Sequence, residues 1–347
     1  MSVAPTECEA TRFTEFVHLC EASGLLQRPN ELATEDVCDG LNDEVTLRRF
    51  FTARRGDAQA AFEQFKEAVE IRNSASHISV YNNIDVSDYE ATRKLYPHWS
   101  GCRDKRGQPI CMFDVACLNR ETMADYKKTR DMPLSTGAPL KTPAKPNSVQ
   151  RAIAFHETLT RFVLPLCTSM RDRPDPHIPV SSAVYLVDVS SFGLKQALEL
   201  RNYAQDISKL LATSFPEVVD TVYVLNAPSY FGTIWNLLKK WVDLRTAEKL
   251  VISTKNEVLP RLTASIDLAN IPKGHGGEFP FQHGTVPKLD SGICEQLEWP
   301  SQPPGMLPPG PIKWVVDGEG RRIAVAVGSL SGEPRYQPLA VLPHKSS

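Results

Sequence analysis

The chain has 347 residues, 41% of them hydrophobic and 23% charged, with a formal net charge of −2. That length can bury a sizeable core in one large domain or two smaller ones, and a charge so near zero offers no basic surface for nucleic acid. The opening MSVAPTECEATRF lacks the basic and apolar regions of a secretory signal, and no apolar run approaches bilayer-spanning length, so a cytoplasmic protein with at most peripheral membrane contact is expected.

Taken in chain order, the N-terminal third reads as helical. Phe13, Phe16, Val17 and Cys20 recur at helical spacing and Gly24 stops them. NDEVTLRRFFTARRGD predicts a second helix, with Asn42 or Asp43 as N-cap and Gly56 beyond its end. Asp57 is placed to cap a third, carrying Phe62, Phe65 and Val69. From Tyr81 the pattern changes. Asp104 to Gly107 read as a turn, and Pro109 opens a strand. A helix over about 119–130 precedes DMPLSTGAPLKTPAKPN, whose prolines mark a loop. Helix is predicted again over 148–170. Then SSAVYLVDVS reads as a strand, LKQALELRNYAQDISKLLATSF as a helix, VVDTVYVLNAP as a strand, and residues 229–242 as a helix. EKLVIS and NEVLPRL follow as a short strand and a short helix. Strands alternating with helices imply an α/β fold with a mostly parallel sheet. After residue 290, WPSQPPGMLPPGPI reads as a proline-rich linker, and KWVVDGEGRRIAVAVG as a hairpin turning at Asp317-Gly318. The expected organisation is a helical unit over 1–75, an α/β domain over 76–290 and a proline-rich tail over 291–347.

One helix stands out. Phe231, Ile234, Trp235, Leu238 and Trp241 line one face, widened by Leu237 and Val242. So much bulky apolar surface is either core or the wall of an apolar pocket. Other motifs read blandly. GHGGEF, residues 274–279, has no G-x-S-x-G partner, so its glycines are expected to serve a tight turn rather than an oxyanion hole. His275 and His283 lack a third ligand at metal-binding spacing and read as a surface pair. The eight cysteines are scattered, with no CxxC, so reduced thiols and no metal are expected. Arg48, Arg49, Arg54 and Arg55 fit a solvated helix end and a phosphate site equally well. Spacing alone cannot bring Asp188 and Glu217 together.

LRRFFTARRGD, DKRGQPI, YLVDV, SFPEVVDTVYVLNAPSYFGTIWNLLKKWVDLRTAEKLVI and IPKGHGGE occur in that order. This succession resembles the Sec14-like family, also called CRAL-TRIO domain proteins, over about residues 42 to 290. The resemblance implies an N-terminal helical unit packed on an α/β domain, a mostly parallel sheet flooring an apolar pocket, and a gate helix over 229–242. Lys239 and Lys240 would then face water. It further implies a phosphatidylinositol headgroup site. The acid of PE matches Glu217, the segment after the gate matches Asp243, Thr246 and Lys249, and the basic residue of AR matches Arg54. Two positions depart from the family. The arginine after the PE acid is Val218 here. The Ser and Thr that bind phosphatidylcholine in some members are Ala183 and Tyr185, so that lipid is expected to be excluded.

The function implied by the resemblance is binding and intermembrane transfer of one hydrophobic ligand, phosphatidylinositol first among them, by a monomer that touches membranes transiently and needs no cofactor. Two alternatives stay open. An enzyme would use Tyr185 or Asp188 as acid or base on a hydrophobic metabolite. A lipid sensor would dock partners through its proline-rich tail.

Overall fold

The computed structural model describes residues 7–134, 145–241, 244–300 and 303–343. Its first three helices are α1 (Glu7–Ala22), α2 (Glu44–Ala53) and α3 (Ala58–Ser74), where the apolar spacing places them. Phe16, Cys20, Phe50, Phe51 and Phe65 close their shared core, and Phe50 meets Phe65 edge-to-face at 5.0 Å. Asp57 caps α3 by accepting from the Ala60 amide. Asp43 holds the N-cap position of α2 but makes no side-chain cap bond; its Oδ1 accepts from the Gly40 amide and the Thr46 hydroxyl instead.

Short helices α4 (His77–Asn83) and α5 (Val86–Arg93) lead into a five-stranded sheet, whose strands lie side by side in chain order. These are β1 (His98–Arg103), β2 (Pro109–Asp114), β3 (Ala183–Asp188), β4 (Val219–Leu225) and β5 (Leu250–Ile252). Only the β1–β2 pair is antiparallel. Between β2 and β3 run α6 (Arg120–Arg130), α7 (Ser148–Thr158), a π-helical turn at Leu159–Val163, and α8 (Leu164–Ser169). Pro165 lacks an amide hydrogen, and the turn before it loosens accordingly. Helices α9 (Leu194–Glu199) and α10 (Arg201–Ser214) join β3 to β4, and α11 (Phe231–Leu238) and α12 (Leu244–Glu248) join β4 to β5. After β5 come α13 (Val258–Ser265) and α14 (Ser291–Gln296).

Sequential parallel strands joined by right-handed crossovers put their connecting helices on one face. The packing agrees. Ile110, Met112, Val184, Leu186 and Leu225 point one way, onto Val258 and Leu262 of α13. Cys111, Ala183 and Tyr185 point the other way, onto the α7–α8 segment, and Val224 packs with α11 on that same face. Two elements differ from expectation. Residues 194–215 form two helices, broken at Leu200, and the helix expected over 229–242 spans Phe231–Leu238.

The segment after residue 302 is packed rather than a linker, and the hairpin expected to turn at Asp317-Gly318 is formed. Leu307 and Ile312 are buried in the main core. Strand β6 (Ile312–Val316) pairs with β7 (Arg322–Ala326), and Asp317 closes the turn by accepting from the Glu319 and Arg321 amides. After the small β8 (Ser329–Leu330) and β9 (Glu333–Pro334) pair, β10 (Gln337–Leu342) adds a third strand along β7. Trp314, 1% exposed, donates its indole N–H to the Phe162 carbonyl at 3.1 Å. Tyr81 donates to the Ile312 carbonyl at 2.6 Å. An apolar strand face needs a partner, and here the α7–α8 segment provides it.

Candidate ligand site

The chain leaves β4 through Asn226, which adopts φ +56°, a conformation asparagine tolerates better than most residues. Its side-chain amide donates to Asp188 Oδ2 at 2.8 Å and lies 3.3 Å from His275 Nδ1. This fixes where α11 starts. Phe231 and Ile234, 4% and 1% exposed, face inward. Trp235 and Leu238 are half-buried against the same cluster. Trp241 lies beyond the helix, half-buried, with the Arg201 guanidinium 5.6 Å from its ring centre. Lys239 and Lys240 are exposed.

Opposite α11, Val187 of β3, Val222 of β4 and Leu250 of β5 remain only half-buried, as do Ile207 and Leu210 of α10. Strands β3 and β4 have a strand on either side. Apolar residues there are normally covered completely by crossover helices. On this face they are not, although α10 and α11 pack over the same cluster.

A polar cluster stands at the start of β4. Glu217, at φ +56°, accepts from Lys249 Nζ at 2.7 Å and from the Arg245 guanidinium. Lys249 Nζ also donates to the Val219 carbonyl at 2.7 Å, and Arg245 to the Thr52 carbonyl at 3.0 Å, which ties α12 to the end of α2. Burial alone would raise the Glu217 pKa. Lys249 and Arg245 outweigh it and hold the carboxyl below the usual glutamate range. Thr246 is half-buried in α12. Arg54 is the C-cap of α2; its Nε donates to Gln64 Oε1 at 2.9 Å, and Gln64 donates to the Ala212 carbonyl of α10. Arg54, Glu217, Thr246 and Lys249 are thus carried by elements that meet where β4 and β5 begin. Asp243 lies outside the described residues.

Sequence reasoning missed Arg245. Its signal was a cation four residues before Lys249, although Lys249 itself lies just past the end of α12. Val218, where the resemblance implied an arginine, is buried in the core, and Arg245 pairs with the preceding Glu217.

Ala183 and Tyr185 share the sheet face of Val222 but sit in its closed part. Tyr185 borders a cavity of only about 40 Å³, with Trp99, Phe162, Leu307 and Ile312 around it. Burial pushes its phenol well above the usual tyrosine range.

The histidines are not a surface pair. His275 is 3.7 Å from Asp188 Oδ2, and burial lowers its pKa despite that carboxylate. His283 packs on the His98 ring at 4.7 Å and on Phe113. The GHGG turn is steric: a Cβ at Gly277 would lie 2.1 Å from the Ile271 carbonyl oxygen. Asp188 ends β3 while Glu217 precedes β4, so in parallel strands the two carboxylates stand at opposite ends of the sheet. Of the arginine run, Arg48 pairs with Glu44 on the surface and Arg55 is exposed, while Arg49 is buried.

Residues 94–277 match the CRAL/TRIO domain family. The chain is similar to the phosphatidylinositol/phosphatidylcholine transfer protein SFH11 of Arabidopsis thaliana, 27% identical over 275 residues, covering 76% of this chain and 66% of that protein. It is similar to the SEC14 cytosolic factor of Yarrowia lipolytica, 24% identical over 236 residues, covering 68% of this chain and 44% of that protein. The chain therefore spans less than two thirds of either relative. A crystal structure of Sfh5 superposes with a TM-score of 0.55 at 13% identity, covering 85% of this chain and 97% of the other, a likeness of fold.

Proposed function

The chain belongs to the CRAL/TRIO domain family, with Sec14-like relatives, and on that premise we propose that it carries one phospholipid, phosphatidylinositol, between membranes. The observation that carries the reading is the half-buried apolar floor of Val187, Val222 and Leu250 beneath α10 and α11. Acyl chains complete the burial of these side chains, each square ångström of apolar surface removed from water contributing about 25 cal/mol. Helix α11 acts as the gate. Its apolar face closes over the chains, while Lys239 and Lys240 stay toward water and toward anionic membrane surfaces during transient docking. No covalent bond is made or broken.

The headgroup belongs at the start of β4. Lys249 and Arg54 meet the phosphate as cations, Thr246 bonds an inositol hydroxyl, and Glu217 orients Lys249 through the 2.7 Å contact. Asp243 completes the set. Phosphatidylcholine is excluded, because Tyr185 fills the space and neither Tyr185 nor Ala183 offers a small hydroxyl there.

Lys249→Ala tests the assignment. A lost charge-assisted bond costs about 1.5–3 kcal/mol, or about tenfold to hundredfold in affinity. Phosphatidylinositol transfer between vesicles should fall by that factor while the folded fraction is unchanged. Undiminished transfer at equal stability refutes the headgroup site.

A further inference from the structure

Between the N-terminal helices and the C-terminal sheet the interior opens into a cavity. This cavity of about 350 Å³ lies among Thr46 and Arg49 of α2, Thr160 of the π-helical turn, Arg321 and Arg322 at the start of β7, and Leu342 of β10. None of these residues belongs to the lipid floor, the gate or the headgroup cluster, so the cavity is separate from the lipid site.

Arg49 is the anomaly. It is 5% exposed. Its Nη2 donates to the Thr46 hydroxyl at 3.0 Å, but Nε and Nη1 are buried with no acceptor. Burial lowers its pKa only to about 10, so the guanidinium stays charged at neutral pH. Asp43 attracts it and Arg72 repels it, yet Asp43 Oδ1 already serves the Gly40 amide and the Thr46 hydroxyl. Arg322 is bound to Asp39, and Arg321 to Asp317 and Glu319. Buried charges are ordinarily paired and hydrogen-bonded, and an uncompensated one is strongly destabilising.

The charges facing the cavity select the ligand. Of the three arginines that face it, Arg321 is held by Asp317 and Glu319 and Arg322 by Asp39, which leaves Arg49 as the cation of this lining with unpaired donors. A ligand with one negative group balances Arg49, and further negative charge would meet the two aspartates of the lining, Asp39 and Asp43. The volume exceeds that of a bare oxyanion, leaving room for a small organic part. We propose that this cavity binds a small soluble molecule through a single oxyanion group, phosphate or carboxylate, received by the free N–H groups of Arg49.

The probes are inorganic phosphate and acetate, each compared with chloride at equal ionic strength on the full chain. Either oxyanion should raise the wild-type thermal midpoint saturably, because a ligand that binds only the folded state stabilises it. Arg49→Met should be at least as stable as wild type in chloride, having lost an unpaired buried charge, and should lose the oxyanion response. Leu342→Trp, which fills the cavity from β10, should also lose it and provides the test if Arg49→Met does not fold. The proposal is overturned if neither oxyanion stabilises wild type, or if either foldable variant keeps the full response. Stabilisation by phosphatidylinositol vesicles without any by the free oxyanions also overturns it, since the anion would then belong to a lipid headgroup.

Discussion

His156 shows how a single buried side chain sets a pH response. Its ring is 7% exposed, and Nδ1 lies 2.8 Å from the Ala152 carbonyl. Burial lowers its pKa from 6.5 to about 4. The folded protein therefore keeps this ring neutral where the unfolded chain protonates it. The unfolded state binds more protons between these values, so this contribution is complete above pH 6.5 and is lost as the pH falls toward 4. Its upper size is about 3 kcal/mol at 1.36 kcal/mol per pKa unit. Urea unfolding of His156→Gln should show a shallower loss of stability over this window than wild type; identical slopes would contradict the assignment. His98, lowered to about 3 by burial, adds in the same direction. Little of this was legible in the sequence, because burial depends on what packs from afar. The same holds for Lys249 and Arg245. Their spacing was visible, but their shared partner Glu217 comes from a different element. Val218 looked like a lost cation, while Arg245, on α12 beyond β4 in the chain, pairs with the neighbouring Glu217.

Helix α11 separates two roles along one face. Ile234 is fully packed, so Ile234→Ala should cost about 2–5 kcal/mol of stability by leaving a cavity. Trp235 is half-buried, so Trp235→Ala should cost clearly less and should instead reduce lipid uptake from labelled vesicles. Equal destabilisation by the two changes, with lipid uptake intact in Trp235→Ala, would make α11 an ordinary core helix. The apolar period of this helix was readable, because one side is covered and the other is wet. Its ends were less so, and the chain already turns at Lys239. Strand β1 gave no alternating signal because every residue of it is buried. It also carries a register shift around Gly101, whose Cβ would lie 2.1 Å from the Lys288 carbonyl oxygen. The break at Leu200 has neither Gly nor Pro to mark it.

The whole molecule depends on a segment that composition disguised. Prolines made residues after 302 look like a connector, yet Trp314 lies 5.4 Å from the Phe162 ring and inside the core of the sheet. The β6–β7 hairpin was legible from its Asp-Gly turn. Strand β10 was not, since Pro338 breaks its pattern; it sits at a sheet edge beside a register irregularity, where proline is tolerated. Trp314→Ala should therefore lower global stability by about 3–5 kcal/mol in one cooperative transition. A small change confined to the C-terminal strands would mean that they fold apart. The family and the parallel sheet were readable because their motifs are local and ordered, whereas the closing of one part of the sheet face by the C-terminal segment arises only from long-range contact. The central claim is that the half-buried apolar part of that face holds a phospholipid. Native mass spectrometry of the purified full chain, after incubation with phosphatidylinositol vesicles and their removal, tests it most directly. The account predicts a one-to-one complex heavier than the protein by one diacyl phospholipid; a folded, monodisperse and lipid-free protein would contradict it.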